Sequence, residues 1–162
     1  MSKGLYHQVA KLWKKPKENM GDMMKARLIG WRRENTVVRI EKPTRVDRAR
    51  TIGYKAKAGY IMARVKIGKG GRRRELYGRR GRKPTKMGLV HFTHGKSLQK
   101  IAEEKAQRRH INMFVVGSYL VGEDGKHQWY EVALADTQHG NIKKDPKLSW
   151  MSSPANRKRA LR

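Results

Sequence analysis

Residues 113–135 read MFVVGSYLVGEDGKHQWYEVALA. Two β-rich runs stand out in them, MFVVGSYLV (113–121) and HQWYEVALA (127–135). Branched and aromatic side chains suit a pleated, half-buried surface. Between the runs lie Gly122, Glu123, Asp124, Gly125 and Lys126, which are turn residues, so the stretch predicts a β-hairpin. A third strand stands upstream in GYIMARVKI (59–67). Ile61, Ala63, Val65 and Ile67 face one way there, while Tyr60, Met62, Arg64 and Lys66 face the other. VVRI (37–40) reads as a shorter strand, ended by Pro43.

Helical periods surround these strands. In GLYHQVAKLWKK, Leu5, Val9, Leu12 and Trp13 form one apolar stripe. Lys14 and Lys15 suit the negative end of its dipole, and Pro16 is expected to stop it. A second helix is expected from about Asn19 to Glu34, with Asn19 as its cap and Met20, Met24, Leu28 and Trp31 on one face. Trp13, Trp31 and these methionines read as core. Thr44-Arg45-Val46-Asp47 has capping-box spacing and Gly53 can end a helix, which predicts a short one between the strands. LVHF (89–92) reads as extended. KSLQKIAEEKAQRRH follows as a helix capped by Ser97, with Leu98, Ile101, Ala102 and Lys105 on one face. HGNIKKDP adds a helical turn before Pro146.

The fold class is therefore α+β: N-terminal helices, then a small antiparallel or mixed sheet in β-(α)-β-α-β-β order. Its core is expected around Ile61, Val65, Leu98, Ile101, Val115, Leu120, Trp129 and Val132. Residues 1–150 form a single α+β unit in this reading. A basic arm, 68–88, is inserted in it, and 151–162 form a basic C-terminal extension.

That arm falls within IGKGGRRRELYGRRGRKPTK (67–86), where nearly half the positions are Lys or Arg and the lone acid is Glu75. The whole chain of 162 residues has 40 Lys and Arg against 13 Asp and Glu, a net charge of +27. A compact body with that charge repels itself until an anionic partner neutralises it. Nucleic acid fits best, because Lys and Arg displace its condensed counterions. A membrane is disfavoured, since no apolar run approaches the ~18 residues of a spanning helix. MSKGLYHQ has no signal-peptide pattern, and the chain has no Cys for a disulfide or a thiolate site.

Catalytic chemistry finds little to build on. Glu103 and Glu104 read as helix-surface partners, and Glu123 and Asp124 as turn residues. His91 and His94 lack a third ligand at a recognisable spacing, so no metal is expected. Gly68-Lys69-Gly70-Gly71 is followed by neither Gly-Lys-Ser/Thr nor a helix, so it is no nucleotide loop. Gly78-Arg79-Arg80-Gly81 has the letters of a KH clamp without its helix pair, and no RNP motif is present. The expectation is no enzyme, no cofactor and no small-molecule substrate.

The candidate site is the basic constellation itself. In the arm it comprises Lys69, Arg72, Arg73, Arg74, Arg79, Arg80, Arg82, Lys83 and Lys86. It extends to Arg45, Arg48, Arg50, Lys55 and Lys57, and to Arg157, Lys158 and Arg159. Guanidinium forks suit phosphate. Only Tyr77 in the arm can stack on a base, which favours phosphate, shape and 2′-OH contacts with folded RNA. A DNA-compacting or general nucleic-acid-binding protein is the alternative. The arm cannot bury apolar surface of its own, so it is expected to order on binding.

At PTRVDRARTIGYKAKAGYIMARVKI (43–67) the chain resembles ribosomal protein fifteen of the archaeal and eukaryotic large subunit, a family distinct from the similarly numbered bacterial one. The similarity continues in SLQKIAEEKAQRR (97–109), SYLVGEDGKHQWYEVALAD (118–136) and HGNIKKDPKLSW (139–150), and includes YHQVAKLWKK near the start. The resemblance implies a structural constituent of the large subunit that binds its folded rRNA beside neighbouring ribosomal proteins. It implies a cytoplasmic, ribosomal location without self-oligomerisation. It marks Arg45, Arg48, Arg50, Lys55 and Lys57 as RNA-facing. It also implies a further Gly- and Lys/Arg-rich tail beyond ANRKRALR.

Overall fold

The hairpin forms where its composition places it, although its strands run further into the loop than the turn residues suggest. The computed structural model describes residues 4–72, 78, 80–88 and 92–153. Its helices and strands, in chain order, are α1 (Leu5–Leu12), α2 (Pro16–Asn19), α3 (Gly21–Arg33), β1 (Val37–Ile40), α4 (Val46–Thr51), β2 (Tyr60–Gly68), α5 (Leu98–Arg109), β3 (Met113–Glu123), β4 (His127–Asp136) and α6 (Gly140–Lys143). Short 3-10 turns lie at Pro84–Lys86 and Ser149–Ser152. The protein is thus α+β. Its four strands form one antiparallel sheet in the spatial order β1-β2-β4-β3.

The alternation of β2 is reproduced in the core. Ala63, Val65 and Ile67 pack with Val132 and Leu134 of β4 and with Ala102 and Ala106 of α5. Met62, on the other face, packs with Trp129, Ala133, Tyr119 and Val121, against Trp31 of α3 and Ala49 of α4. Both faces are therefore covered, one by α5 and the other by α3 and α4. Each large side chain buried this way contributes about 1.5–3 kcal/mol. Two members of the expected core are placed differently. Trp129 lies on the face opposite Val65 and Val132. Leu120 is 40% exposed.

β3 keeps pace with β4 only through two irregularities, between Val115 and Gly117 and between Leu120 and Gly122. The second puts Gly122 beneath α3. A Cβ there would stand 3.1 Å from the Trp31 ring and 3.3 Å from Leu28. The tip of the hairpin is Asp124, whose Oδ1 accepts from the amides of Lys126 (2.7 Å) and His127 (2.6 Å).

Several local capping expectations are overturned by longer-range partners. Pro16 does not simply end α1; it opens α2 from the first helical position, where its missing N–H costs nothing. Asn19 does not cap α3, which starts after Met20 with no side-chain cap. Its amide instead donates back to the carbonyls of Lys11 (3.3 Å) and Leu12 (3.1 Å), satisfying the end of α1. Thr44 does not cap α4 either, because its N–H and hydroxyl both donate to Glu131. The apolar stripe of α1 is largely uncovered, with Leu5 71% exposed. Trp13 is only partly buried, and the Arg45 guanidinium lies 5.0 Å from its ring centroid.

Other local signals hold. Ser97 accepts from the Lys100 amide at 3.2 Å and caps α5. Gly53 ends α4 at φ 98°, with the Tyr54 amide on the Ala49 carbonyl (3.0 Å) and the Gly53 amide on that of Arg50 (3.1 Å). This is the Schellman pattern that favours glycine. The extended reading of residues 89–91 lies outside the described residues.

Candidate nucleic-acid interface

α4 shows how the fold aims a positive charge. Ala49 points inward and is fully buried, whereas Arg48 and Arg50 on either side of it are exposed. The helix is anchored from below by Glu131, a carboxylate with no solvent exposure on β4. Glu131 accepts from the Thr44 amide at 3.0 Å and from the Tyr119 hydroxyl at 2.6 Å, as well as from the Thr44 hydroxyl. Such a buried carboxylate is tolerable only with its acceptor sites occupied. Burial, with the Glu131 charge beside it, pushes the Tyr119 hydroxyl well above the usual tyrosine range, so it stays a donor.

Arg45 is placed differently from its neighbours. Its Nη2 lies 3.0 Å from Asp47 Oδ2, its plane covers Trp13, and its side chain is 17% exposed. It ties α1 to the entry of α4 rather than facing outward. Arg50 extends over the Tyr6 ring at 6.0 Å and stays exposed.

Beyond Gly53 the chain presents Lys55 and Lys57. These meet α6 and the following turn in a cleft of about 560 Å³, lined also by Asn141, Lys144, Asp145, Pro146 and Lys147. Lys55 is ion-paired to Asp145. That hydrogen bond raises the lysine and holds the carboxyl below the usual range. Among the described residues no acid pairs with Lys57, Lys144 or Lys147, so the cleft is positive. Lys144 and Lys147 are additions to the sequence-derived set. The run IKKDPK carries the signal, but only the fold brings it beside Lys57.

Within the described part of 68–88, Arg72, Arg80, Arg82, Lys83 and Lys86 are all exposed. Arg72 lies over the Phe92 ring at 4.6 Å. Lys69 leaves β2 and pairs with Glu123 at 3.0 Å. Arg73, Arg74, Arg79, Arg157, Lys158 and Arg159 lie outside the described residues, as do Tyr77 and His91.

Not every cation belongs to this surface. Arg64 is held by Glu34 at 2.7 Å and stacks over Trp31 at 4.6 Å. Lys66 donates to the carbonyls of Arg32 (2.9 Å) and Glu34 (2.7 Å), at the C-terminal end of α3. Arg32 reaches Asp124 at 2.8 Å, and Lys96 reaches Glu104 at 2.8 Å. Glu34, Asp47, Glu104, Asp124 and Asp145 are thus each taken up by a cation of the same chain, while Glu18, Asp22 and Glu41 stay at the surface. Among the described residues no three His, Cys, Asp or Glu side chains are grouped to hold a metal ion, and no helix is long and apolar enough to cross a membrane.

Comparison with known proteins agrees with this geometry. Residues 4–162 match the family described as Ribosomal L15. The chain is 47% identical over 163 residues to the large ribosomal subunit protein eL15 of Methanospirillum hungatei, covering all of this chain and 83% of that one. It is 48% identical to the eL15 of Methanocella arvoryzae, at the same coverage of both chains. It is 47% identical to that of Methanococcoides burtonii, covering 82% of the relative. With a match spanning nearly the whole sequence, the chain belongs to the ribosomal L15 family of the eL15 type, a family of structural ribosomal proteins and not of enzymes.

Proposed function

We propose that this protein is a structural constituent of the large ribosomal subunit that binds and stabilises folded large-subunit rRNA through phosphate and shape contacts. It acts in the cytoplasm beside neighbouring large-subunit proteins. The observation that carries the reading is the surplus of exposed cations: Glu34, Asp47, Glu104, Asp124 and Asp145 are each held by a cation of the chain, while Arg48, Arg50, Lys57, Lys144 and Lys147 are exposed and in no ion pair among the described residues. An RNA backbone supplies what is missing. Residues 68–88 serve as a basic arm inserted into the 1–150 unit, and 151–162 as a basic extension. Lys69, Arg72, Arg73, Arg74, Arg79, Arg80, Arg82, Lys83, Lys86, Arg157, Lys158 and Arg159 add phosphate contacts there. Arg45 and Lys55 support the surface from beneath through their pairs with Asp47 and Asp145.

The test is the salt dependence of binding to a large-subunit rRNA fragment, with duplex DNA as competitor. If ~8 phosphates are neutralised, log K against log salt falls with a slope of roughly −6 to −7. A nearly flat slope overturns the phosphate reading. Equal competition by duplex DNA at matched salt overturns the preference for folded RNA.

A further inference from the structure

The outer strand β1 uses only half of its backbone. Its register with β2 runs without a shift, from Val37 opposite Val65 to Ile40 opposite Met62. The Lys66 amide donates to the Thr36 carbonyl at 2.8 Å, which fixes the phase of the ladder. Bonded positions alternate in an antiparallel pair, so Val38 and Ile40 turn their N–H and C=O toward β2 while Val37 and Arg39 turn theirs away. No strand lies on that side, and among the described residues nothing bonds the amides or carbonyls of Val37 and Arg39. Both core layers also run out here. Val37 packs on the layer of Val65 and Ile40 on the layer of Met62, yet each stays half-buried beside a fully covered partner. Arg39 is exposed on the α5 side, where burial and the charges of Arg109 and Arg39 hold the His110 imidazole below its usual range. Glu41, just past the strand, is exposed and pairs with neither arginine.

We propose that β1 takes a further strand, an extended segment of a neighbouring large-subunit protein, bonded through Val37 and Arg39 with an acid set opposite Arg39. Extended peptides add to a free sheet edge through main-chain bonds, and side-chain fit gives the selectivity. A peptide offers both N–H and C=O groups, whereas a phosphate only accepts and would leave the Val37 and Arg39 carbonyls unbonded. An added strand also covers Val37, Val38 and Ile40 and so continues both core layers. A second copy of this chain suits the edge poorly, since each carries a net charge of +27 and an arginine on the pairing row. The inference rests on the ribosomal reading and goes beyond it, naming where a neighbouring protein docks and by what bonds.

Amide exchange on the free full chain comes first. Val37 and Arg39 should exchange fast, and Val38 and Ile40 slowly; protection of Val37 and Arg39 there overturns the open edge. The chain has no Cys, so Arg39→Cys carries a single benzophenone label. Incorporated into large subunits and irradiated, it should cross-link to an extended segment of another protein. Cross-links confined to rRNA, to a second copy or to this chain overturn the proposal. Arg39→Pro removes the outward N–H, at an edge position that tolerates proline, while Arg39→Ala removes the charge alone. The proline variant is expected to bind large subunits depleted of this protein about 2- to 12-fold more weakly than the alanine variant. Equal binding overturns the strand pairing, and the cross-link decides the matter where the proline variant melts early. Failure of the wild-type chain to join large subunits overturns instead the ribosomal reading beneath it.

Discussion

Tyr119 and Glu131 sit directly opposite each other in the β3–β4 register, with the phenol oxygen 2.6 Å from Glu131 Oε2. The same carboxylate receives the Thr44 amide and hydroxyl, so one buried charge joins the hairpin to the segment that begins α4. Exposed Arg48 and Arg50 are carried on the helix it anchors.

Removing one donor should leave that carboxylate short of a partner. Tyr119→Phe is expected to lower unfolding stability by about 1.5–3 kcal/mol, the usual effect of losing a hydrogen bond to a charged group. Glu131→Ala should cost about 3 kcal/mol or more, because three donors lose their acceptor at once. Urea unfolding measures both. The double variant should fall well short of the sum, since the two residues share one network.

Asp124 sets an acid limit on the hairpin. Burial raises its carboxyl, but hydrogen bonds from Arg32 and from the amides of His127 and Lys126 outweigh that and bring it from 3.8 to about 2. A depressed folded value gives stability that is complete above pH 3.8 and is lost as pH falls through about 2. Denaturant midpoints across that window should drop more steeply for the wild-type protein than for Asp124→Asn. Parallel curves would show that the carboxyl is not held this way.

Gly122 admits α3 closely enough that any side chain intrudes on Trp31 and Leu28. Gly122→Ala should cost about 1–3 kcal/mol, the range for overpacking. Gly125→Ala, at the hairpin tip with nothing within 4 Å of the added atom, should be tolerated. Thermal melting of the pair separates crowding from a general loss of glycine flexibility.

Lys144 and Lys147 are expected to act through charge alone. Replacing either with Gln should reduce the salt slope of rRNA binding by about 1 and leave melting unchanged. Lys66→Gln should do the reverse. Its ammonium bonds the Arg32 and Glu34 carbonyls, so that variant loses stability and keeps the slope.

The hairpin, β2 and α5 were legible because each is set by periods and caps within its own few residues. Asn19 and Thr44 were misread for the opposite reason. Both are good cap formers locally, but α1 carbonyls seven and eight positions back claim Asn19, and Glu131, 87 positions on, claims Thr44. Charge and resemblance pick out Arg48, Arg50 and Lys57, and the fold leaves all three exposed. The partly buried placement of Arg45 was not legible, since its pairing with Asp47 and its stacking on Trp13 are set by three-dimensional packing. Lys144 and Lys147 were not picked out because the cleft exists only where the chain returns from α6 to the loop before β2.

The two irregularities in β3 have a consequence for the protein before it meets any partner. β3 is an outer strand of the sheet, and a long regular outer strand is a template for pairing with other molecules. Slipping the register at Val115/Gly117 and again at Leu120/Gly122 breaks the even row of donors and acceptors that such pairing needs. A newly made chain awaiting assembly therefore keeps its eleven-residue border strand from seeding aggregates.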